Sequence, residues 1–250
     1  TNPAAWARGF GPERPDDAGI DALKEQVERA YASLKLTTSY DEAADADLVI
    51  ESIAEDPAQK IAFYQELAKH LPERTVIATN SSTMLPSAFA EATGRPEKYL
   101  ALHFANEIWR NNTGEVMGHA GTGQAYYDQV VEFAEAIGMV PLCLHKEQPG
   151  YILNSMLVPF LNAAEALWAN GVADPETIDK TWQLGTGAPA GPFRILDVVG
   201  LTTAYNIVIM DPRSKDPETV QGKIASKLKA KIDAGETGVN AGKGFFDYRK

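Results

Sequence analysis

Residues 46–53 have the sequence Ala-Asp-Leu-Val-Ile-Glu-Ser-Ile, a short apolar run rich in β-branched residues. Such a run is typical of a strand in a parallel sheet, because both faces of that kind of sheet are covered. Two similar runs lie at residues 75–79 (Thr-Val-Ile-Ala-Thr) and 99–104 (Tyr-Leu-Ala-Leu-His-Phe). Between the first two runs, Pro57 can open a helix whose expected inner face is Ile61, Tyr64, Leu67 and Ala68. Strands that alternate with helices predict an α/β domain with a mostly parallel sheet covered on both faces.

The alternation extends outward from these strands in both directions. Residues 1–18 have no apolar period and predict a loop, whereas apolar residues recur every three or four positions from Ile20 to Leu34. That period predicts a helix with one buried face. Downstream, the sequence predicts a strand at residues 115–117, a helix at about 124–137 and a strand at 139–144.

The pattern changes after Pro149 and Gly150. A long apolar stripe from Ile152 to Trp168 predicts a helix, and further helices are predicted at residues 175–184, 192–199 and 217–234, with no convincing strand. The sequence therefore predicts two domains, an α/β domain at residues 1–146 and an all-helical domain at residues 147–250.

Composition limits the classes of partner. The 250 residues include 23 Lys and Arg against 34 Asp and Glu, a net charge of −11, which argues against binding to nucleic acid or to an anionic membrane. No apolar run approaches the ~20 residues of a membrane span. A single cysteine, Cys143, excludes an internal disulfide and is predicted to lie in the core, and the start of the chain has no signal-peptide pattern. We expect a cytoplasmic protein without a metal site.

Polar clusters follow three of the predicted strands, at residues 51–55, 80–83 and 103–106. Open parallel sheets bind ligands at the carboxyl ends of their strands, so three such clusters together predict a site. The glycine-rich dinucleotide fingerprint does not occur in its required setting. The Gly-x-Gly run at Gly185 has no strand before it, and the run at Gly121 has Tyr126 where a small residue is needed.

The side chains suited to proton transfer are His103, near a strand end, and Glu115, twelve residues later and past a polar turn. Two neighbouring strands can bring this pair together. The carboxylate would then fix one ring nitrogen and leave the other free to act as a base. Ser82 and Asn154 could hydrogen-bond one substrate oxygen from two sides. The alternatives are a structural histidine near an unrelated glutamate, a turn cap at Ser82 and a buried amide at Asn154.

Several blocks of the chain carry a family resemblance. They are residues 47–55, 78–82, Leu102-His103-Phe104 with Glu115, Pro149-Gly150-Tyr151-Ile152-Leu153-Asn154, residues 187–193 with Asp197, and Gly242-Lys243-Gly244-Phe245-Phe246. With these blocks in this order, the chain resembles the 3-hydroxyacyl-CoA dehydrogenases, including 3-hydroxybutyryl-CoA dehydrogenase, over about four-fifths of its length. The resemblance implies a Rossmann-type domain followed by a helical domain that closes over acyl-CoA and forms a homodimer.

The resemblance also implies roles for individual residues. His103 would take the proton of the 3-hydroxyl while hydride passes to NAD, and Glu115 would orient and support His103. Ser82 and Asn154 would hold the substrate oxygen, with Ser82 also near the nicotinamide. Glu55, Lys60 and Asn106 match positions at the nicotinamide end of the cofactor.

The chain departs from the family pattern at three places. The opening strand, glycine-rich turn and second strand that hold the adenosine and pyrophosphate of NAD are not found in the 250 residues, so we expect an N-terminally incomplete Rossmann sheet. Glu107 follows Asn106 where many members have proline, and Asn240 stands where several have lysine. Two alternatives stay open: a non-catalytic dimeric scaffold that lost cofactor binding, and a related hydroxy-acid or sugar-acid dehydrogenase such as gulonate 3-dehydrogenase.

Overall fold

The computed structural model describes residues 17–249, and their contacts divide them into a first unit that ends at Leu153 and a second unit that begins at Asn154. Ile152 and Leu153, which begin a helix predicted for the second domain, therefore belong to the first unit. The predicted boundary after residue 146 lies a few residues before this division.

The first unit is built on a sheet of five strands: β1 (Leu48–Glu51), β2 (Val76–Thr79), β3 (Tyr99–Phe104), β4 (Thr113–Met117) and β5 (Val140–Leu144). Their order in the sheet is the order in the chain. The pairs β1–β2, β2–β3 and β4–β5 are parallel, and only β3–β4 is antiparallel. The predicted mostly parallel sheet is confirmed.

Helices cover both faces of this sheet. They are α2 (Pro57–Leu67) and α3 (Gln124–Ala136), whereas α1 (Asp17–Ser33) has none of its described side chains in the clusters packed on the sheet. Successive strand residues point to opposite faces, so Ile77 packs in the cluster with Leu67 of α2, while Val76 and Ala78 pack in the cluster with Val130 of α3. The central strands β2 and β3 are therefore buried on both faces.

Three details of the first unit correct the sequence-based expectations. On α2, Ile61 is 37% exposed, and Lys60 instead shares the buried face with Tyr64 and Leu67. The predicted buried face of α1 is open, since Tyr31 is 76% exposed. Cys143 is exposed rather than in the core, because β5 pairs only with β4 among the described strands and forms an edge of the sheet.

The second unit is helical in its described residues. It contains most of α4 (Tyr151–Ala169), then α5 (Pro175–Thr186), α6 (Pro192–Val199), α7 (Leu201–Val208) and α8 (Val220–Asp233). Their core is a cluster around Phe193, Leu196, Leu201 and Leu228. Sequence periodicity did not predict α7, which follows α6 after the single residue Gly200.

Helix α4 is more apolar than expected. The helix has 19 residues, and an 18-residue window within it has a mean hydropathy of 1.2, enough to cross a membrane by length and composition alone. This finding corrects the expectation that no segment of the chain approaches the length of a span. In the structure, Leu161, Ala164 and Ala169 of α4 lie in the core of the second unit.

A buried carboxylate fixes the C-terminal segment of the second unit. Asp197 on α6 accepts hydrogen bonds from the backbone N–H groups of Phe245 and Phe246, at 2.7 and 3.0 Å, and from the Tyr248 hydroxyl at 2.9 Å. A Cβ at Gly244 would stand 2.0 Å from Asp197 Oδ1, so only glycine fits at this position. The Gly242–Phe246 block of the sequence is thereby tied to α6.

Candidate active site

His103 and Glu115 are direct partners in the antiparallel pairing of β3 with β4. Side chains of such partners lie on the same face of a sheet. His103 Nδ1 is 3.1 Å from Glu115 Oε2, and the two residues are 6% and 3% exposed. The twelve-residue spacing in the sequence thus places imidazole and carboxylate in contact, at the end of β3 that also carries the polar loop.

The other carboxylate oxygen of Glu115 binds the N-terminus of α4. The backbone N–H groups of Ile152 and Leu153 both donate to Oε1, each at 2.9 Å. Burial by itself would raise the pKa of Glu115, but the hydrogen bonds with His103, Leu153 and Ile152 outweigh it and hold that pKa below its ordinary value. Glu115 is therefore a fixed anion next to the imidazole.

Ser82 contacts the opposite edge of the imidazole ring. Its Oγ lies 3.2 Å from His103 Nε2. With Nδ1 donating to the Glu115 carboxylate, Nε2 is the acceptor for the Ser82 hydroxyl, a tautomer that follows from the hydrogen-bond partners. Ser82, His103 and Glu115 thus form one hydrogen-bonded chain, with the basic ring nitrogen on the serine side.

Glu55 positions the loop after β2. Its carboxylate accepts hydrogen bonds from Ser81 Oγ at 2.8 Å, from the Ser82 backbone N–H at 3.2 Å and from Thr83 Oγ1 at 3.2 Å. Asn80 Oδ1 accepts the Phe104 N–H at 3.0 Å, which joins the ends of β2 and β3. Glu55 therefore contacts Ser82 itself, and its predicted role at the cofactor stays a prediction.

Lys60 is completely buried. Its Nζ is 2.8 Å from Glu51 Oε1, and Glu51 Oε2 accepts from the Tyr64 hydroxyl at 2.5 Å and from Thr79 Oγ1 at 2.8 Å. Burial would raise the pKa of Glu51, yet these hydrogen bonds hold it below its ordinary value. The structure thus buries Lys60 against Glu51, the last residue of β1, and a direct contact between Lys60 and a cofactor stays a prediction.

Asn106 is exposed in the loop between β3 and β4, and its backbone carbonyl accepts Asn111 Nδ2 at 2.9 Å. The next residue, Glu107, has φ 58°. Proline is restricted to φ near −65° and could not adopt this conformation. The loop therefore takes a path that a proline at residue 107 would not permit, and the role of Asn106 stays a prediction.

Asn154 stands in the first turns of α4 and is the first residue of the second unit. Its role at the substrate oxygen stays a prediction.

Sequence reasoning missed the side-chain roles of two residues, Glu51 and Tyr151. Tyr151 is fully buried and its ring stacks on His103, with the ring centroids 4.5 Å apart. Tyr151 lies in the sequence Pro149-Gly150-Tyr151-Ile152-Leu153-Asn154, and nothing in that local pattern signals a contact with His103.

Comparison with known proteins gives the family. The model for the 3-hydroxyacyl-CoA dehydrogenase NAD binding domain matches residues 17–148, and that for the C-terminal domain of the same enzymes matches residues 150–248. Hydroxyacyl-coenzyme A dehydrogenase, mitochondrial, from Rattus norvegicus is 34% identical over 91% of this chain and 72% of its own length. The 3-hydroxybutyryl-CoA dehydrogenase of Clostridioides difficile is 32% identical over 86% of this chain and 75% of its own length.

A solved structure of a diketoreductase, described as acting on dicarbonyl compounds, is also similar to this chain. It is 49% identical, with a TM-score of 0.81, over 92% of this chain and 83% of that one. The family model that matches residues 17–148, in the first unit, describes an NAD-binding domain, so NAD is the cofactor of this domain. Since both family models match and together span nearly all of the described residues, the chain belongs to the 3-hydroxyacyl-CoA dehydrogenase family.

Proposed function

We propose that this protein interconverts a 3-hydroxyacyl-CoA and the 3-oxoacyl-CoA with NAD, and that His103 is the general base. The observation that carries this proposal is the chain Ser82–His103–Glu115, with contacts of 3.2 and 3.1 Å. It lies at the carboxyl ends of the strands, where open α/β sheets bind their ligands.

In the oxidation direction, the 3-hydroxyl loses its proton and C3 loses a hydride. His103 Nε2 accepts the proton, so that the C=O bond forms without a net positive charge at C3. Glu115 keeps Nδ1 protonated and stabilises the imidazolium that results, because its carboxylate is held by two backbone N–H groups and cannot turn away. In the reduction direction, the same imidazolium returns the proton to the 3-oxygen.

The residues at the strand ends fit the nicotinamide end of NAD. Glu55 and Ser82 supply hydrogen-bonding groups after β1 and β2, beside His103 on β3. When bound, NAD would accept the hydride, and the protein would contribute position and electrostatic support. We assign Ser82 and Glu55 to this end of the cofactor and assign Ser82 and Asn154 to the substrate oxygen.

A second candidate function differs in the substrate. The 49% identity to a diketoreductase favours reduction of a dicarbonyl compound, and in this second candidate the compound carries no CoA. The proposed step is unchanged, because a 3-oxoacyl thioester is itself a 1,3-dicarbonyl. What differs is whether binding energy comes from the CoA portion or from the reacting end alone.

One assay separates these candidates. NADH oxidation is followed with acetoacetyl-CoA, with ethyl acetoacetate and, for the sugar-acid alternative, with gulonate and NAD. We expect kcat/KM to be highest for acetoacetyl-CoA among these three substrates. A higher kcat/KM for ethyl acetoacetate would support the diketoreductase function instead, and turnover of gulonate alone would support the sugar-acid function. Saturable NADH binding in calorimetry would exclude a scaffold that has lost its cofactor.

We also propose that the second unit forms a homodimer. Several large apolar side chains in this unit are exposed, among them Met156 and Leu167 on α4 at 63% and 43%, Val198 on α6 at 44% and Ile207 on α7 at 39%. In this proposal these side chains form one apolar face that a second copy of the chain covers. Sedimentation equilibrium should give twice the mass of the chain, and Met156→Glu should shift it towards the monomer. A monomer in the unsubstituted chain at high concentration would exclude the homodimer.

A further inference from the structure

Tyr151 has a backbone conformation that is unusual for its residue type. It begins α4 with φ 55°, directly after Gly150 at φ 77°. A residue with a side chain rarely adopts positive φ, and such strain persists only where the surroundings determine the conformation. Tyr151 is nevertheless fully buried, so its side chain is held by packing.

The ring of Tyr151 packs on the imidazole of His103. The two ring planes are inclined by 17°, and their centroids are 4.5 Å apart. Glu115 and Ser82 hold the two ring nitrogens at the edges of the imidazole, and neither contact fixes the plane of the ring. The stacked tyrosine restricts the rotation that those edge contacts leave open.

The hydroxyl of Tyr151 reaches the loop that carries Ser82. It donates a hydrogen bond to the backbone carbonyl of Ser81 at 2.8 Å. Burial raises the pKa of the Tyr151 phenol, so the hydroxyl keeps its proton and remains a donor throughout the neutral range. One side chain therefore contacts both the general base and the residue next to Ser82.

The backbone turn at Tyr151 also aims the start of α4. The two N–H groups that follow it, those of Ile152 and Leu153, donate to Glu115 Oε1. Residues 151–153 thus contact His103, Glu115 and Ser81, the residue before Ser82.

We propose that Tyr151 is a positioning residue that holds the His103 ring and the Ser82 loop in register, so that Nε2 and Ser82 Oγ point at one substrate oxygen. This inference rests on the proposed function of His103. Tyr151 touches neither substrate nor cofactor in this proposal and acts through His103 and Ser82.

The test compares two tyrosine-to-phenylalanine variants. Tyr151→Phe keeps the stacked ring and removes only the hydroxyl. Tyr127→Phe is the matched control, because the Tyr127 hydroxyl also donates to backbone carbonyls of the same unit, Val116 at 3.0 Å and Leu144 at 3.3 Å. We expect Tyr151→Phe to lower kcat for acetoacetyl-CoA about tenfold, since small misplacements of reacting groups have large effects on rate. The KM, the NADH affinity and the thermal midpoint should change no more than in Tyr127→Phe, whose kcat should stay within twofold of the unsubstituted chain.

A double-mutant cycle with Ser82→Ala shows whether the hydroxyl acts through the loop. If it does, Tyr151→Phe lowers kcat by less than twofold in the Ser82→Ala background. A full tenfold effect in that background, an unchanged kcat in Tyr151→Phe alone, or an equal loss in Tyr127→Phe would each overturn the inference. His103→Ala separates the two levels: if that variant keeps full turnover, the proposed function fails and the inference fails with it. If His103→Ala is inactive and Tyr151→Phe is not impaired, only the inference fails.

Discussion

The buried carboxyl of Glu165 should make the stability of the second unit depend on pH, and Glu165→Gln should remove that dependence. Glu165 lies on α4, is 2% exposed, and its Oε1 has no hydrogen-bond partner among the described residues. Its surroundings are mostly apolar and include Leu161, Leu196 and Ala204. Burial raises the pKa of Glu165 from the ordinary 4.5 to about 7, because the charged form is poorly solvated there.

The size and sign of the effect follow from this pKa. The folded chain keeps the proton up to about pH 7, whereas the unfolded chain releases it near pH 4.5. The stabilising contribution is therefore complete below pH 4.5 and is lost as the pH rises through 7. At about 1.4 kcal/mol per pH unit, the free energy of unfolding falls by about 3 kcal/mol over that interval.

Urea denaturation at pH 5, 6, 7 and 8 measures this dependence. Trp168 fluorescence reports on the second unit, because its ring packs against Phe193 and Phe245 in the core. The difference in stability between Glu165→Gln and the unsubstituted chain should grow with pH by roughly 2–3 kcal/mol in favour of the variant. Glu218→Gln, an exposed change in the same unit, should show no such trend. A difference that stays constant from pH 5 to pH 8 would refute the reasoning.

Three further changes test other parts of the account. Glu115→Gln removes the charge that supports His103 and should lower kcat about 10²-fold or more, with NADH affinity retained. Steady-state kinetics measure kcat and calorimetry measures the NADH affinity. A loss of kcat below threefold would contradict the role given to Glu115. Lys60→Met leaves Glu51 as a buried charge without its cationic partner, and we expect it to lower the free energy of unfolding in urea by about 3–5 kcal/mol. The double variant Glu51→Gln/Lys60→Met should recover a large part of that loss. A double variant less stable than Lys60→Met would argue against this expectation. Gly244→Ala brings a Cβ to 2.0 Å from Asp197 Oδ1 and should lower stability by about 1–3 kcal/mol, seen as a lower thermal midpoint; an unchanged midpoint shows that the loop relaxes freely.

The sequence predicted the sheet well because β1 and β2 are short runs rich in β-branched residues and β3 begins with four apolar residues, Tyr99–Leu102. The pairing of His103 with Glu115 was also predictable, since their spacing across a turn fits adjacent strands. Helix α7 was missed because it follows α6 after one residue, so that the two helices form one apolar stretch in the sequence. Local periodicity does not mark a change of direction between packed helices.

Other features depend on long-range contacts that no local pattern reveals. Lys60 is an ordinary helix residue in the sequence, and only the fold places it against Glu51. The stacking of Tyr151 on His103 joins residues 48 positions apart through a positive φ that the amino-acid type does not suggest. Cys143 was predicted to be buried from its apolar neighbours, and its exposure follows from the edge position of β5.

The central claim is that His103 carries the proton that accompanies hydride transfer. The most direct test is the kcat of His103→Ala for reduction of acetoacetyl-CoA by NADH, together with its NADH affinity by calorimetry. The account predicts a kcat about 10²–10⁴-fold below that of the unsubstituted chain, the usual contribution of a general acid or base, with NADH affinity within a few fold. A kcat within threefold of the unsubstituted chain would contradict it.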